Sequence, residues 1–132
     1  MNCLNGLNER RKFQRLKENM SVRFRLDRHF QMSAVSLDEE VEAFAIDLSQ
    51  QGMALATDLN IPIAALLSLR FDIFKTNGKG EVKFLKPIEV TGEVRSNIPL
   101  DDKQRRLGIC FKEFQEEDRE ELVDFIDTAL SR

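Results

Sequence analysis

Val41-Glu42-Ala43-Phe44-Ala45-Ile46-Asp47-Leu48-Ser49-Gln50-Gln51-Gly52 is the stretch on which the fold turns. Its first eight residues are apolar at Val41, Ala43, Phe44, Ala45, Ile46 and Leu48 and read as a strand running into Asp47 and Ser49. The polar turn Ser49 to Gly52 then reverses the chain into Met53–Thr57. Asp47 and Ser49, two apart on a strand, are expected on one side near the strand end, as surface groups at a sheet rim.

Moving outward, Ser21 to Phe30 alternates, with Val22, Phe24 and Leu26 on one side and Arg23, Arg25 and Asp27 on the other, which predicts a half-buried strand. A polar connection over 33–40 links it to the 41–48 strand. On the other side, Asn60 to Ala65 contains Pro62 and reads as a connection. Leu66 to Lys75 alternates with Leu67, Leu69, Phe71 and Ile73 on one face, and Asn77-Gly78-Lys79-Gly80 is a hairpin signal because Asn-Gly readily supplies two positive φ angles. Glu81 to Arg95 reads as a long strand whose Pro87 belongs at an edge or bulge. After a charged turn at Asp101 to Arg105, Arg106 to Phe114 alternates with Leu107, Ile109 and Phe111 inward. Glu116 to Leu130 reads as a helix: acids crowd its first turn, where the helix dipole favours them, and Leu122, Phe125, Ile126, Ala129 and Leu130 form one stripe expected to cover the barrel.

Six strands at short spacing followed by one helix predict an all-β fold with a C-terminal helix, a six-stranded antiparallel barrel. Ten Phe without Trp or Tyr are expected to fill its core. At 132 residues the chain makes one domain.

A net charge of -3 argues against a strongly basic nucleic-acid binder. The average hides an asymmetry, since Glu9 to Arg28 holds eight Lys/Arg against three acids and Glu113 to Arg132 eight acids against two Arg. The two ends either attract each other and solvate the surface, or the basic one serves as an anion site. Cys3 and Cys110 make no disulfide framework, and Cys110 reads as a small core residue in a reducing compartment. With no apolar signal region and no run approaching the roughly 20 apolar residues of a spanning helix, a cytoplasmic protein without membrane insertion is expected.

The chemistry-bearing residues lie in two segments. Arg11 and Arg15, preceded by Arg10, carry guanidinium groups that can grip a phosphate or a guanine Hoogsteen edge through two parallel N–H bonds. They share a face if the segment is helical and stand about 13 Å apart if it is extended. Asp47 can accept from the guanine N1 and N2 donors, Ser49 can donate to a phosphate, and Gly52 permits close backbone approach or a positive φ. Donors in one segment and an acceptor in the other make a purine-nucleotide site.

Together, Arg11-Lys12-Phe13-Gln14-Arg15 and Asp47-Leu48-Ser49-Gln50-Gln51-Gly52 resemble the two motifs of the PilZ domain family, R-x-x-x-R and [D/N]-x-S-x-x-G, complete and in the family's order. The resemblance implies a PilZ-type barrel, with a flexible terminus over 1–8, an arginine arm over 9–20, the barrel over 21–114 and the helix over 116–131. It also implies a bacterial receptor for the second messenger cyclic di-GMP, bound by Arg10, Arg11, Arg15, Asp47, Ser49 and Gly52. Such a receptor changes conformation on binding and signals to a protein partner, with self-association left open.

Catalysis is not expected. His29 stands without a Cys or acid partner at motif spacing, metal-ligand spacings are absent, and Gly78-Lys79-Gly80 does not complete a phosphate loop. No cofactor is implied. Two other readings compete: a ligand-free PilZ adaptor acting by protein contact, and a small barrel binding single-stranded nucleic acid. The latter needs an exposed aromatic platform, whereas most Phe fall at core-facing positions, so neither DNA nor RNA is expected as a partner.

Overall fold

The computed structural model describes residues 20–26, 40–76, 83–101 and 103–130. Its elements are β1 (Met20–Leu26), β2 (Val41–Leu48), β3 (Gly52–Thr57), β4 (Leu66–Thr76), β5 (Lys83–Pro99), β6 (Arg105–Phe114) and α1 (Asp118–Leu130). The strands close into an antiparallel barrel in the order β1-β2-β3-β6-β5-β4, with β1 also pairing β4. The expected fold class is the one observed. Residues 9–19 of the expected 9–20 arm, 27–30 of the expected Ser21–Phe30 strand, 33–39 of the expected 33–40 connection and the Asn77–Gly80 hairpin lie outside the described residues.

Alternation decides which side chains enter the barrel. Val22 and Phe24 of β1, Ala43 and Ala45 of β2, Leu67, Leu69, Phe71 and Ile73 of β4, and Leu107, Ile109 and Phe111 of β6 are all buried in one core. Not every aromatic follows: Phe44 and Phe74 are about half or more exposed. They sit on β2 and β4, with β1 between those strands, and so form no common platform.

β5 runs to Pro99, beyond the expected Arg95, because it serves two neighbours. Residues 83–93 pair β4 while 90–99 pair β6. Before Val90 its ladder partner among the described strands is β4 alone, and there Pro87, opposite Asp72, costs no bond to β6. Register shifts at Thr91/Gly92 and Val94/Ser96 mark the bulges that bend this strand around the barrel.

The helix begins two residues later than its composition suggests. Glu116 has φ 43°, outside the right-handed helical region. Asp118, 7 % exposed, instead fastens the helix start: its Oδ2 accepts from the Glu89 backbone N at 2.8 Å and its Oδ1 from Lys86 Nζ at 3.3 Å. The expected apolar stripe does cover the barrel, with Leu122 and Ile126 each 1 % exposed in the common core and α1 against β4 and β5. Each such burial stabilises by about 1.5–3 kcal/mol.

Cys110 is buried on β6 but outside the common core, because it falls between the inward Ile109 and Phe111 and so takes the outward side of the alternation.

Candidate ligand-binding site

The end of β2 carries a local departure from strand geometry that decides where Asp47 points. Ala45 pairs with Leu55, yet Asp47 pairs with Ala54, so Ile46 is an extra residue and the register shifts there. Strict alternation from Ala43 and Ala45 would send Asp47 into the core. The bulge instead places it opposite Ala54 on the outer face and returns Leu48, opposite Met53, to the interior.

On the outer face Asp47 meets Arg106. Arg106 Nη2 lies 3.4 Å from Asp47 Oδ2, reaching across β3 from β6. The Asp47 side chain is only 4 % exposed against 25 % for Arg106, which corrects the expectation of a surface carboxylate. The strand between them contributes Ala54 and Ala56 to that face, the former opposite both Asp47 and Gly108, the latter opposite both Phe44 and Arg106. Ala54 is itself buried, at 1 % exposure, and Ala56 is half-buried.

The turn that follows is held by its own hydrogen bonds. Ser49 N donates to Gly52 O at 2.8 Å, and the Ser49 hydroxyl accepts from Gln51 N at 3.2 Å and donates to Gly52 O at 3.3 Å. Ser49 is 2 % exposed, so its hydroxyl shapes the loop from within. Gly52 is required by close approach and not by a positive φ: a Cβ there would lie 1.9 Å from the Ile109 backbone O. Phe111 N donates to Gln51 O at 2.8 Å, tying the loop to β6, and Gln50 Nε2 donates to Asp127 Oδ1 of α1 at 3.5 Å. Buried Gln51 Oε1 has no hydrogen-bond partner among the described residues.

Asp47, Ser49 and Gly52 thus converge at one end of β2 and the start of β3. Arg10, Arg11 and Arg15 lie outside the described residues. An open groove of about 700 Å³ lies next along the same outer face, lined by Phe44, Ala56 and Gln104. Its charged lining is Glu42, Asp58 and Asp101 against Lys103, a balance unsuited to an anionic guest. Among the described residues no group of three His, Cys, Asp or Glu is placed to hold a metal, and no helix is long and apolar enough to cross a membrane.

A PilZ domain model matches residues 9–128, which spans both motifs, the whole barrel and nearly all of α1. The chain belongs to the PilZ domain family. No curated protein matches. Among solved structures this PilZ domain is similar to the Bacillus subtilis inhibitor of motility MotI/DgrA, with TM-score 0.68 and 18 % identity over 93 % of this chain and 53 % of that one. It is also similar to K. pneumonia MrkH in complex with c-di-GMP, with TM-score 0.57 and 18 % identity over 92 % and 52 %. The PilZ domain of CeSA from a cellulose-synthesising bacterium gives TM-score 0.51 and 12 % identity over 90 % and 99 %. The chain therefore spans about half the length of MotI and MrkH, and the likeness at these identities is one of fold.

Sequence reasoning missed Arg106 and the Ile46 bulge. Arg106 is legible as an outward residue, being adjacent to inward Leu107, but its partner depends on strand order and on the bulge, neither of which has a local signal.

Proposed function

We propose that this PilZ domain is a receptor for cyclic di-GMP, not an enzyme, that changes conformation on binding and signals to a protein partner in the cytoplasm. The observation that carries the reading is the placement of Asp47. A complete Asp-x-Ser-x-x-Gly turn ends β2, and a bulge brings its carboxylate to the outer face as an acceptor beside an arginine. The guanine N1 and N2 donors need an acceptor of that kind. Arg11 and Arg15, with Arg10 before them, clamp the phosphates and the Hoogsteen edges. Ser49 and Gly52 hold the turn that presents Asp47.

The messenger carries two negative charges, so ordering a basic arm around it is a natural switch. The turn also touches α1 through Gln50 and Asp127, which gives a change at the site a route to the far side of the barrel. MrkH, whose structure is a complex with c-di-GMP, supports the choice of ligand.

Calorimetric titration with cyclic di-GMP, linear di-GMP and GTP tests the reading. Strong preference for the cyclic dinucleotide is expected, lost in Arg15→Ala and Asp47→Ala. Comparable affinity for all three ligands marks a generic phosphate patch, and no binding at all favours a ligand-free adaptor.

A further inference from the structure

Arg106 belongs to neither motif, yet the structure sets it as a charged partner beside Asp47. A carboxylate whose side chain is 4 % exposed has lost most of its water, and an ionised group so placed is stable only with a counter-charge or several donors. Arg106 supplies a counter-charge from the rigid frame of the barrel. β6 is paired on both sides, to β3 and to β5, so the origin of the side chain is fixed.

The geometry leaves Arg106 capacity to spare. Its contact with Asp47 is a single N–H at 3.4 Å and not a two-pronged grip, out of five N–H donors on the guanidinium. A quarter of the side chain stays exposed.

We propose that Arg106 is a positioning residue of the same site, holding the Asp47 carboxylate toward the guanine N1 and N2 donors and so contributing to the choice of guanine over adenine. The inference rests on the cyclic di-GMP reading above. Adenine offers no N1–H to a carboxylate, so the discrimination between the two bases depends on how firmly that acceptor is held. A role confined to folding leaves the discrimination unchanged.

The test is calorimetry of wild type, Arg106→Gln and Arg106→Lys with cyclic di-GMP and cyclic di-AMP, each protein first checked by thermal melt. Arg106→Gln should lose about tenfold or more in affinity for cyclic di-GMP and narrow its preference over cyclic di-AMP. Arg106→Lys, which restores the charge, should recover part of both. Wild-type binding with unchanged affinity and preference in Arg106→Gln overturns the proposal while leaving the receptor reading intact. Absence of wild-type binding overturns the receptor reading, and the proposal with it. Should Arg106→Gln fail to fold, the Arg106 Nε–H resonance of the wild type decides: a shift on adding cyclic di-GMP supports the proposal, and an unmoved resonance overturns it.

Discussion

Gly52 and Asp47 show how little freedom single positions have at this site. The Gly52 backbone approaches β6 so closely that a methyl group would overlap the Ile109 carbonyl, and both parties are backbone atoms in paired strands. Neither can yield without breaking the β3–β6 ladder. Gly52→Ala is therefore expected to destabilise the domain by at least about 3 kcal/mol, beyond ordinary overpacking of a core, and to lower the denaturant midpoint accordingly. The motif glycine thus acts through the fold, before any ligand arrives. Asp47 is likewise part of the structure as well as of the proposed site: removing it leaves Arg106 without that carboxylate, so the loss of binding expected in Asp47→Ala is to be judged only after a melt confirms the fold.

At the scale of elements, the attachment of α1 to the barrel rests on two unlike contributions. Leu122 and Ile126 supply apolar burial, which is non-directional, while Asp118 supplies direction by accepting from the Glu89 backbone N–H and from Lys86. Asp118→Ala leaves the Glu89 donor unsatisfied beside β5 and is expected to cost about 1–3 kcal/mol. The corresponding fall in melting temperature is about 3–10 °C. Lys86→Ala should cost far less, because the lysine is about a third exposed and its pair is screened by water. Equal losses in the two variants would show that the lysine, and not the backbone bond, is what fastens the helix. The acids on the far face, Glu117, Glu120, Asp124 and Asp127, are exposed and constitute the solvated side that the composition implied.

For the whole molecule, stability and binding draw on different forces and should respond differently to salt. The core is apolar side chains packed inside a closed barrel, which has few charges to screen. The proposed ligand is dianionic, and its proposed contacts are arginines. With a Debye length of about 10 Å at 0.1 M ionic strength and about 3 Å at 1 M, cyclic di-GMP affinity should fall steadily as sodium chloride rises while the melting temperature of the free domain changes little. Calorimetry and melts across one salt series check this. Affinity insensitive to salt would contradict a clamp built on phosphate contacts.

Alternation in Leu67 to Ile73 and Leu107 to Phe111, the eight-residue run Val41–Leu48 and the stripe at Leu122 and Ile126 determined the barrel, its core and its covering helix without coordinates. Each rests on a period of two or 3.6 that the sequence displays directly, and the two motifs were legible because their residues are close in sequence. The outward turn of Asp47, its burial, its pairing with Arg106 and the helix start at Asp118 were decided by tertiary structure. Those features depend on which strands become neighbours and on one extra residue in a ladder, and the partners involved stand 59 residues apart for Asp47 and Arg106 and 29 for Glu89 and Asp118. A local pattern of hydrophobicity carries no information about such distant partners, because it records the face a side chain takes and not what it meets there.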